Sequence, residues 1–135
     1  MASPESRPPV RVLVVDDHEL FADALTLYLT RDRRIKVVGV ASSGQEAIDL
    51  ALTHAADVVL MDIFMRGMDG LEATKRLRAI RPETRVIVLT GLSGDEVRAE
   101  ALEAGAHGHL QKGAVHDQVV EAVLRVAAGQ PLQPT

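Results

Sequence analysis

Three aspartates, one threonine and one lysine stand at the ends of short apolar segments of this chain. Asp16 and Asp17 follow the first such segment and Asp62 follows the third, whereas Thr90 ends the fourth and Lys112 follows the fifth. Carboxylates bind hard divalent cations, and one of them can act as a nucleophile. Hydroxyl and ammonium groups can bind phosphoryl oxygens. If the fold brings these side chains together, they could transfer a phosphoryl group.

The elements that must position these residues alternate regularly along the chain. Apolar segments rich in Val, Ile and Leu are typical of strands buried on both faces. The longer segments between them repeat apolar residues at the spacing of amphipathic helices. We predict strands at Val10–Val15, Ile35–Ala41, Val58–Met61, Val86–Thr90 and Gly108–Gln111. Ser43 to Glu46 has the spacing of a capping box, and Gly105 and Gly129 follow helical segments, where a left-handed cap is favoured.

Strict strand–helix alternation predicts an α/β fold with right-handed crossovers and helices on both faces of a parallel sheet. Five strands favour the flavodoxin-like order 2-1-3-4-5, a (βα)5 arrangement. In that order the carboxyl ends of strands 1, 3, 4 and 5 lie side by side, and strand 2 is at the edge. Ligands of such sheets bind outside these carboxyl ends, which is where the five residues are predicted to lie.

Three carboxylates in one crevice repel each other and favour binding of a hard cation. Mg²⁺ suits such a site because it binds carboxylates, retained waters and phosphate oxygens. Asp62 stands alone in the middle and is the natural nucleophile, which would form an aspartyl phosphate. Taken singly, each residue also has an ordinary structural explanation. An Asp pair can cap a helix, Asp62 can start a turn, Thr90 can end a strand and Lys112 can be a solvated charge.

Composition narrows the class of protein. The formal net charge of −4 and the 2% aromatic content disfavour binding of nucleic acid by this chain. The absence of Cys excludes thiol catalysis and suits a reducing compartment. The polar, Pro-rich start lacks the apolar core of a signal peptide, and no segment is long and apolar enough to be a membrane span. We therefore expect a soluble cytoplasmic protein.

Several motifs resemble those of response-regulator receiver domains, the CheY-like phosphoacceptors of two-component systems. The similar segments are Val14-Val15-Asp16-Asp17-His18, Leu60-Met61-Asp62-Ile63, Gly67-Met68-Asp69-Gly70-Leu71, Val88-Leu89-Thr90 and Gly105 to Gly113. The Asp-Asp-His start and the Lys followed by Gly are similar to the NarL/FixJ (LuxR-type) branch. The similarity covers about Val10 to Gly129.

The resemblance implies that a sensor histidine kinase phosphorylates Asp62. Asp16, Asp17, Asp62 and the backbone carbonyl of Phe64 would hold Mg²⁺ or Mn²⁺, with Asp16 acting partly through water. Thr90 and Lys112 would bind the phosphoryl oxygens. Such a domain is not an enzyme toward other substrates and assists only its own phosphorylation and dephosphorylation. Thr90 and His109 would form the switch, because His109 occupies the place of an aromatic residue that swings inward. A solvated His109 on an edge strand is the alternative.

Two residues after the nucleophile depart from the resembled pattern. Phe64 stands where small, polar or basic residues are more usual, and Arg66 stands where Pro is typical. Phe64 could narrow access to the site, and Arg66 could reach the phosphoryl group, pair with Asp69 or remain a solvated loop charge. The alternative function is therefore a stand-alone or phosphate-independent receiver that acts by protein contacts.

Two further classes of protein fit the sequence less well. Haloacid-dehalogenase-type phosphatases also combine an Asp nucleophile, Mg²⁺, a Thr and a Lys. Their nucleophile lies after the first strand in an Asp-x-Asp motif, which Asp16-Asp17-His18-Glu19 lacks. A nucleotide-binding module is disfavoured because the sequence contains neither glycine-rich phosphate-binding motif.

The resemblance also implies a domain organisation. We expect a disordered segment at 1–9, a receiver domain at 10–129, and at 130–135 the start of a linker to a missing C-terminal domain. In the resembled branch that domain is a DNA-binding helix-turn-helix of a transcriptional regulator. We expect homodimers on phosphorylation, and DNA binding only through the missing domain. The predicted fourth helix carries four acidic residues against Arg98, which disfavours a self-complementary charged interface on that face. Association through the first and fifth helices is the alternative.

Overall fold

The computed structural model describes residues 7–65, 68–91 and 95–132, which form one α/β domain. The strands are β1 (Val10–Val15), β2 (Ile35–Ala41), β3 (Val58–Asp62), β4 (Arg85–Thr90) and β5 (Gly108–Gln111). The helices are α1 (Glu19–Thr30), α2 (Gly44–Thr53), α3 (Gly70–Ile80), α4 (Asp95–Glu103) and α5 (Val115–Ala127). A short 3-10 turn, Lys112–Ala114, connects β5 to α5.

The five strands form one parallel sheet in the order β2-β1-β3-β4-β5, which confirms the prediction. Two strand limits differ from the predicted ones by a single residue. β3 extends to Asp62 and β4 begins at Arg85. The register pairs Asp62 with Leu89, and Arg85 with Val58, so that ladder pairing continues into the polar residues that flank the apolar segments.

Helices cover both faces of the sheet. On one face α2, α3 and α4 bury alternate residues of the strands, such as Leu13, Val15 and Met61. On the other face α1 and α5 bury the residues between them, such as Val14 and Leu60. Each large apolar side chain removed from water contributes about 1.5–3 kcal/mol, so these two layers hold the strand ends in place.

The predicted helix boundaries agree with the structure where it describes them. The Ser43 hydroxyl accepts a hydrogen bond from the Glu46 backbone N–H (3.1 Å) at the start of α2. Asp69 caps α3 by accepting from the Glu72 backbone N–H at 2.8 Å. Gly105 has a φ of 101° and follows α4, and Gly129 has a φ of 80° and follows α5. Glycine adopts this left-handed conformation at no steric cost, because it has no Cβ atom.

The start of α3 lies directly against the end of β3. The Gly70 backbone N–H donates to the Ile63 carbonyl at 2.9 Å, and a Cβ atom at Gly70 would overlap the Asp62 carbonyl. A glycine is therefore required here, because any side chain would push α3 away from the strand end that carries Asp62.

The chain beyond α5 folds back onto the sheet edge as far as it is described. Leu132 packs against the α1–α5 layer, and a Cβ atom at Gly108 would overlap its side chain. Residues 1–6 of the predicted disordered segment 1–9, and residues 133–135 of the predicted linker 130–135, lie outside the described residues. Both segments remain predictions. Across 7–65, 68–91 and 95–132, no helix is long and apolar enough to cross a membrane.

Candidate functional site

Two buried carboxylates and one lysine meet at the carboxyl ends of β1, β3 and β5. Asp16 and Asp62 are each only 2% exposed. The Lys112 Nζ atom lies 2.7 Å from Asp16 Oδ2 and 3.3 Å from Asp62 Oδ1. The Lys112 side chain is 18% exposed, so it is not the solvated charge that its sequence position alone would allow. Three residues separated by up to 96 positions therefore form one ionic cluster, as the strand order predicts.

The two oxygens of Asp62 have different surroundings. Oδ1 lies near Lys112 and accepts a hydrogen bond from the Phe64 backbone N–H at 3.3 Å. Oδ2 is buried and has no hydrogen-bond partner among the described residues. Burial, followed by the Asp16 carboxylate, raises the pKa of Asp62 to about 6, although Lys112 and the Phe64 N–H oppose the shift. At neutral pH Asp62 is therefore mostly ionised, yet more basic than an ordinary Asp carboxylate.

Asp17 and His18 complete the rim of the cluster. His18 is the N-terminal cap residue of α1 but makes no side-chain capping bond. Its backbone N–H donates to Asp16 Oδ1 at 2.8 Å, and its Nδ1 atom lies 3.1 Å from the same oxygen and 3.5 Å from Asp17 Oδ1. The cap residue of α1 is therefore His18 rather than Asp16 or Asp17.

The residues present fit a divalent cation. One ligand atom from each of Asp16, Asp17, His18 and Asp62 can be chosen so that all four atoms lie within 4.8 Å of one another. Three of the four residues offer carboxylate oxygens, which hard cations prefer. The buried Asp62 Oδ2, without a hydrogen-bond partner in the described part of the chain, is the kind of atom that such a cation would satisfy.

Thr90 and Lys112 lie at the same end of neighbouring strands. Thr90 is fully buried as the last residue of β4 and pairs in register with Gln111, the residue before Lys112. Phe64 lies just beyond β3 with its side chain 56% exposed. Arg66, the second departure from the resembled pattern, lies outside the described residues.

His109 lies on β5, beside Val88 of β4, with its ring partly exposed. Its Nε2 atom is buried and has no hydrogen-bond partner within the described ranges. Burial, and to a smaller extent Arg98, lowers the pKa of His109, so the ring is neutral at neutral pH. The ring lines a groove of about 250 Å³ between β5 and α5, together with Glu121, Arg125 and Leu132.

One residue of this region escaped the sequence analysis. The Phe21 ring lies beneath the Lys112 ammonium, with 4.8 Å between Nζ and the ring centroid. The one available signal for Phe21 was its rarity, since the chain has only two Phe and one Tyr.

The family model that describes the response regulator receiver domain matches residues 12–124. The chain belongs to this family. Receiver domains of response regulators generally act without enzymatic activity of their own, receive signals from sensor histidine kinases and bind Mg²⁺ through acidic residues. The predicted family and fold are therefore confirmed.

The similarity to its relatives shows that this receiver domain is of the NarL/LuxR type of two-component response regulators. The response regulator UvrY of Escherichia coli is 42% identical over 121 residues, which are 90% of this chain and 56% of UvrY. The transcriptional regulatory protein LiaR of Bacillus subtilis is 38% identical over 90% of this chain and 58% of LiaR. The chain thus spans little more than half the length of these relatives.

Solved structures agree with this assignment. The receiver domain of the putative response regulator NarL from Mycobacterium tuberculosis superposes with a TM-score of 0.87 at 35% identity. That comparison covers 92% of this chain and all of the other. A LuxR-family two-component response regulator from Aurantimonas superposes with a TM-score of 0.88 at 28% identity, over 93% of this chain and 90% of the other.

Proposed function

We propose that this receiver domain accepts a phosphoryl group on Asp62 from a sensor histidine kinase and so controls a DNA-binding output domain. The observation that carries the proposal is the buried cluster in which Lys112 lies within 3.3 Å of Asp62 and Asp62 Oδ2 has no hydrogen-bond partner among the described residues. A carboxylate with one free oxygen beside a cation is suited to attack a phosphorus atom and to have its product stabilised.

In the proposed reaction an Asp62 oxygen forms a bond to the phosphorus of a phosphohistidine. The bond between phosphorus and the imidazole nitrogen breaks, and its electron pair stays on that nitrogen. The other ring nitrogen of the donor histidine carries a proton during transfer, so the donor leaves as a neutral imidazole. Asp62 becomes an aspartyl phosphate. Lys112 and the Thr90 hydroxyl then bind phosphoryl oxygens, which offsets the negative charge that the group brings to a buried site.

A divalent cation, Mg²⁺ or Mn²⁺, belongs to this proposal. Asp16, Asp17 and Asp62 would hold it together with the backbone carbonyl of Phe64. When bound, it supplies charge neutralisation for the phosphoryl group in transfer. The three carboxylates and the buried Asp62 Oδ2 support this donor set, since oxygen ligands are the ones that such cations prefer.

The signal would leave the site through Thr90 and His109. Phosphoryl oxygens bind Thr90 better in one arrangement of the surrounding loops than in another, and only such a difference can shift a population. The His109 ring is neutral, and its buried Nε2 atom has no hydrogen bond to any described residue. A rotation of the ring would therefore break no hydrogen bond of Nε2. The shift would reach α4, β5 and α5, and phosphorylation would favour a homodimer.

The larger protein is part of the same proposal. Residues 10–129 would be the receiver, 1–9 a disordered segment and 130–135 the start of a linker to a helix-turn-helix domain. Relatives of about twice the aligned length, one of them called a transcriptional regulatory protein, support this organisation. The net charge of −4 makes DNA binding by this chain itself unfavourable, so the output domain would supply it.

Phosphorylation by a small donor tests the proposal without knowledge of the kinase. The protein is incubated with acetyl phosphate and Mg²⁺, and its intact mass is measured with and without excess chelator. A gain of one phosphoryl group on most molecules, lost in chelator, is the expected result. A folded protein that gains no mass would favour the phosphate-independent receiver. Steady turnover of a phosphatase substrate would favour a phosphatase.

A further inference from the structure

The Lys112 ammonium contacts an aromatic ring as well as two carboxylates. Its Nζ atom lies 4.8 Å from the centroid of the Phe21 ring, and Phe21 is a partly buried residue of the first turn of α1. This distance is within the range in which a cation is attracted to the negative face of a ring. The same atom lies 2.7 Å from Asp16, so the ring and the carboxylate contact one ammonium group.

A lysine needs such a support because its side chain is long and flexible. Lys112 begins a short 3-10 turn at the edge of the crevice, where its side chain could also extend into solvent. Phe21 packs against the α1–α5 layer, which holds its ring in place. The ring thereby forms an apolar wall on one side of the ammonium, whereas both acidic partners lie in the crevice.

We propose that Phe21 is a positioning residue that keeps the Lys112 ammonium at the place where phosphoryl oxygens bind. The proposal rests on the phosphoacceptor function proposed above. Without the aromatic face, the ammonium spends more time in solvent-facing rotamers, so a smaller fraction of molecules is competent at any moment. Cation–π attraction of ordinary strength corresponds to a roughly threefold to thirtyfold change in that fraction.

Another aromatic residue on the same helix offers a matched control. Tyr28 lies two turns after Phe21 and packs its ring edge-on against His116, with 5.2 Å between ring centroids. Both aromatic residues pack against the same apolar layer. Loss of an aromatic ring from α1 in general can therefore be separated from loss of the ring beneath Lys112.

The test compares initial rates of phosphorylation by acetyl phosphate in Mg²⁺ for the parent, Phe21→Leu, Phe21→Tyr and Tyr28→Leu. We expect Phe21→Leu to be roughly threefold to thirtyfold slower, because Leu fills apolar space but has no aromatic face. Phe21→Tyr should restore most of the rate, and Tyr28→Leu should match the parent. Parental rates in Phe21→Leu would overturn the positioning role and leave Asp62 phosphorylation intact. A parent that takes no phosphate would instead refute the phosphoacceptor function on which the role depends.

A spectroscopic measurement on the parent alone keeps the proposal testable if Phe21→Leu does not fold. Ring currents of Phe21 should shift the Lys112 Hε resonances upfield, and nuclear Overhauser effects should connect those protons to the ring. In Phe21→Leu the upfield shift should disappear, whereas in Tyr28→Leu it should persist. Random-coil Hε shifts in the folded parent would overturn the proposal.

Discussion

The Lys112 Nζ atom lies closer to Asp16 Oδ2, at 2.7 Å, than to Asp62 Oδ1, at 3.3 Å. The lysine that would bind the phosphoryl group is therefore paired first with a proposed metal ligand. Because a bound cation and the ammonium repel each other, metal binding should weaken this pair and leave Lys112 available for a phosphoryl oxygen.

Removing the Lys112 charge should strengthen metal binding while it weakens phosphorylation. In Lys112→Met we expect Mg²⁺ to bind roughly tenfold more tightly, because a positive charge beside the site is gone. Calorimetric titration measures the affinity, and Lys75→Met, on the exposed side of α3, is the control. Equal or weaker Mg²⁺ binding by Lys112→Met would show that the ammonium does not oppose the metal.

Asp17 should be required for both metal binding and phosphorylation. Asp17→Asn removes one of three clustered carboxylates, and Mg²⁺ binds weakly at sites that keep water ligands. We expect no measurable Mg²⁺ binding and no phosphate incorporation from acetyl phosphate. The control is Asp23→Asn, which changes an exposed carboxylate of α1. Phosphorylation of Asp17→Asn at the control rate would remove Asp17 from the metal site.

The sequence predicts the positions of these residues far better than their pairings. Asp62 and Lys112 could be placed together because both follow strands, and parallel strands end at one edge of the sheet. The preference of Lys112 for Asp16, and the ring of Phe21 beneath it, depend on how α1 packs against the turn after β5. That packing depends on the side-chain rotamers of two residues that are 91 positions apart in the sequence. The periodicity of apolar residues does not predict rotamers.

The raised pKa of Asp62 predicts that ionisation of this carboxyl group lowers the free energy of unfolding as the pH rises. Burial raises this pKa from 3.8 to about 6, so the folded protein binds more protons than the unfolded chain between these values. In the presence of chelator at pH 7, the free energy of unfolding of Asp62→Asn should exceed that of the parent by about 1–3 kcal/mol. Because the parent loses this stability as the pH rises from about 4 to 6, the difference should nearly vanish below pH 4. Urea unfolding at several pH values measures it, and a difference independent of pH would contradict the account.

Phe64 should slow the loss of the phosphoryl group. Hydrolysis needs a water in line with the bond between Asp62 and phosphorus, and a Phe side chain cannot orient water by hydrogen bonding. We predict faster dephosphorylation of Phe64→Asn, followed by intact mass after removal of the donor. Ile80→Asn is the control, since Ile80 is 55% exposed and Phe64 56%. A parental rate in Phe64→Asn would refute the steric explanation. Leu92, the other residue expected to flank this approach, lies outside the described residues.

The most direct test of the phosphoacceptor assignment compares two aspartates at opposite ends of β3. Asp62 is the last residue of β3 and is buried in the crevice. Asp57 is the residue immediately before β3, and it accepts a hydrogen bond from the Arg11 backbone N–H. Each is replaced by Asn, which keeps the shape but is a poor nucleophile. Intact mass after incubation with acetyl phosphate and Mg²⁺ should show no phosphoryl group on Asp62→Asn and the parental amount on Asp57→Asn. Unchanged incorporation by folded Asp62→Asn would contradict the account.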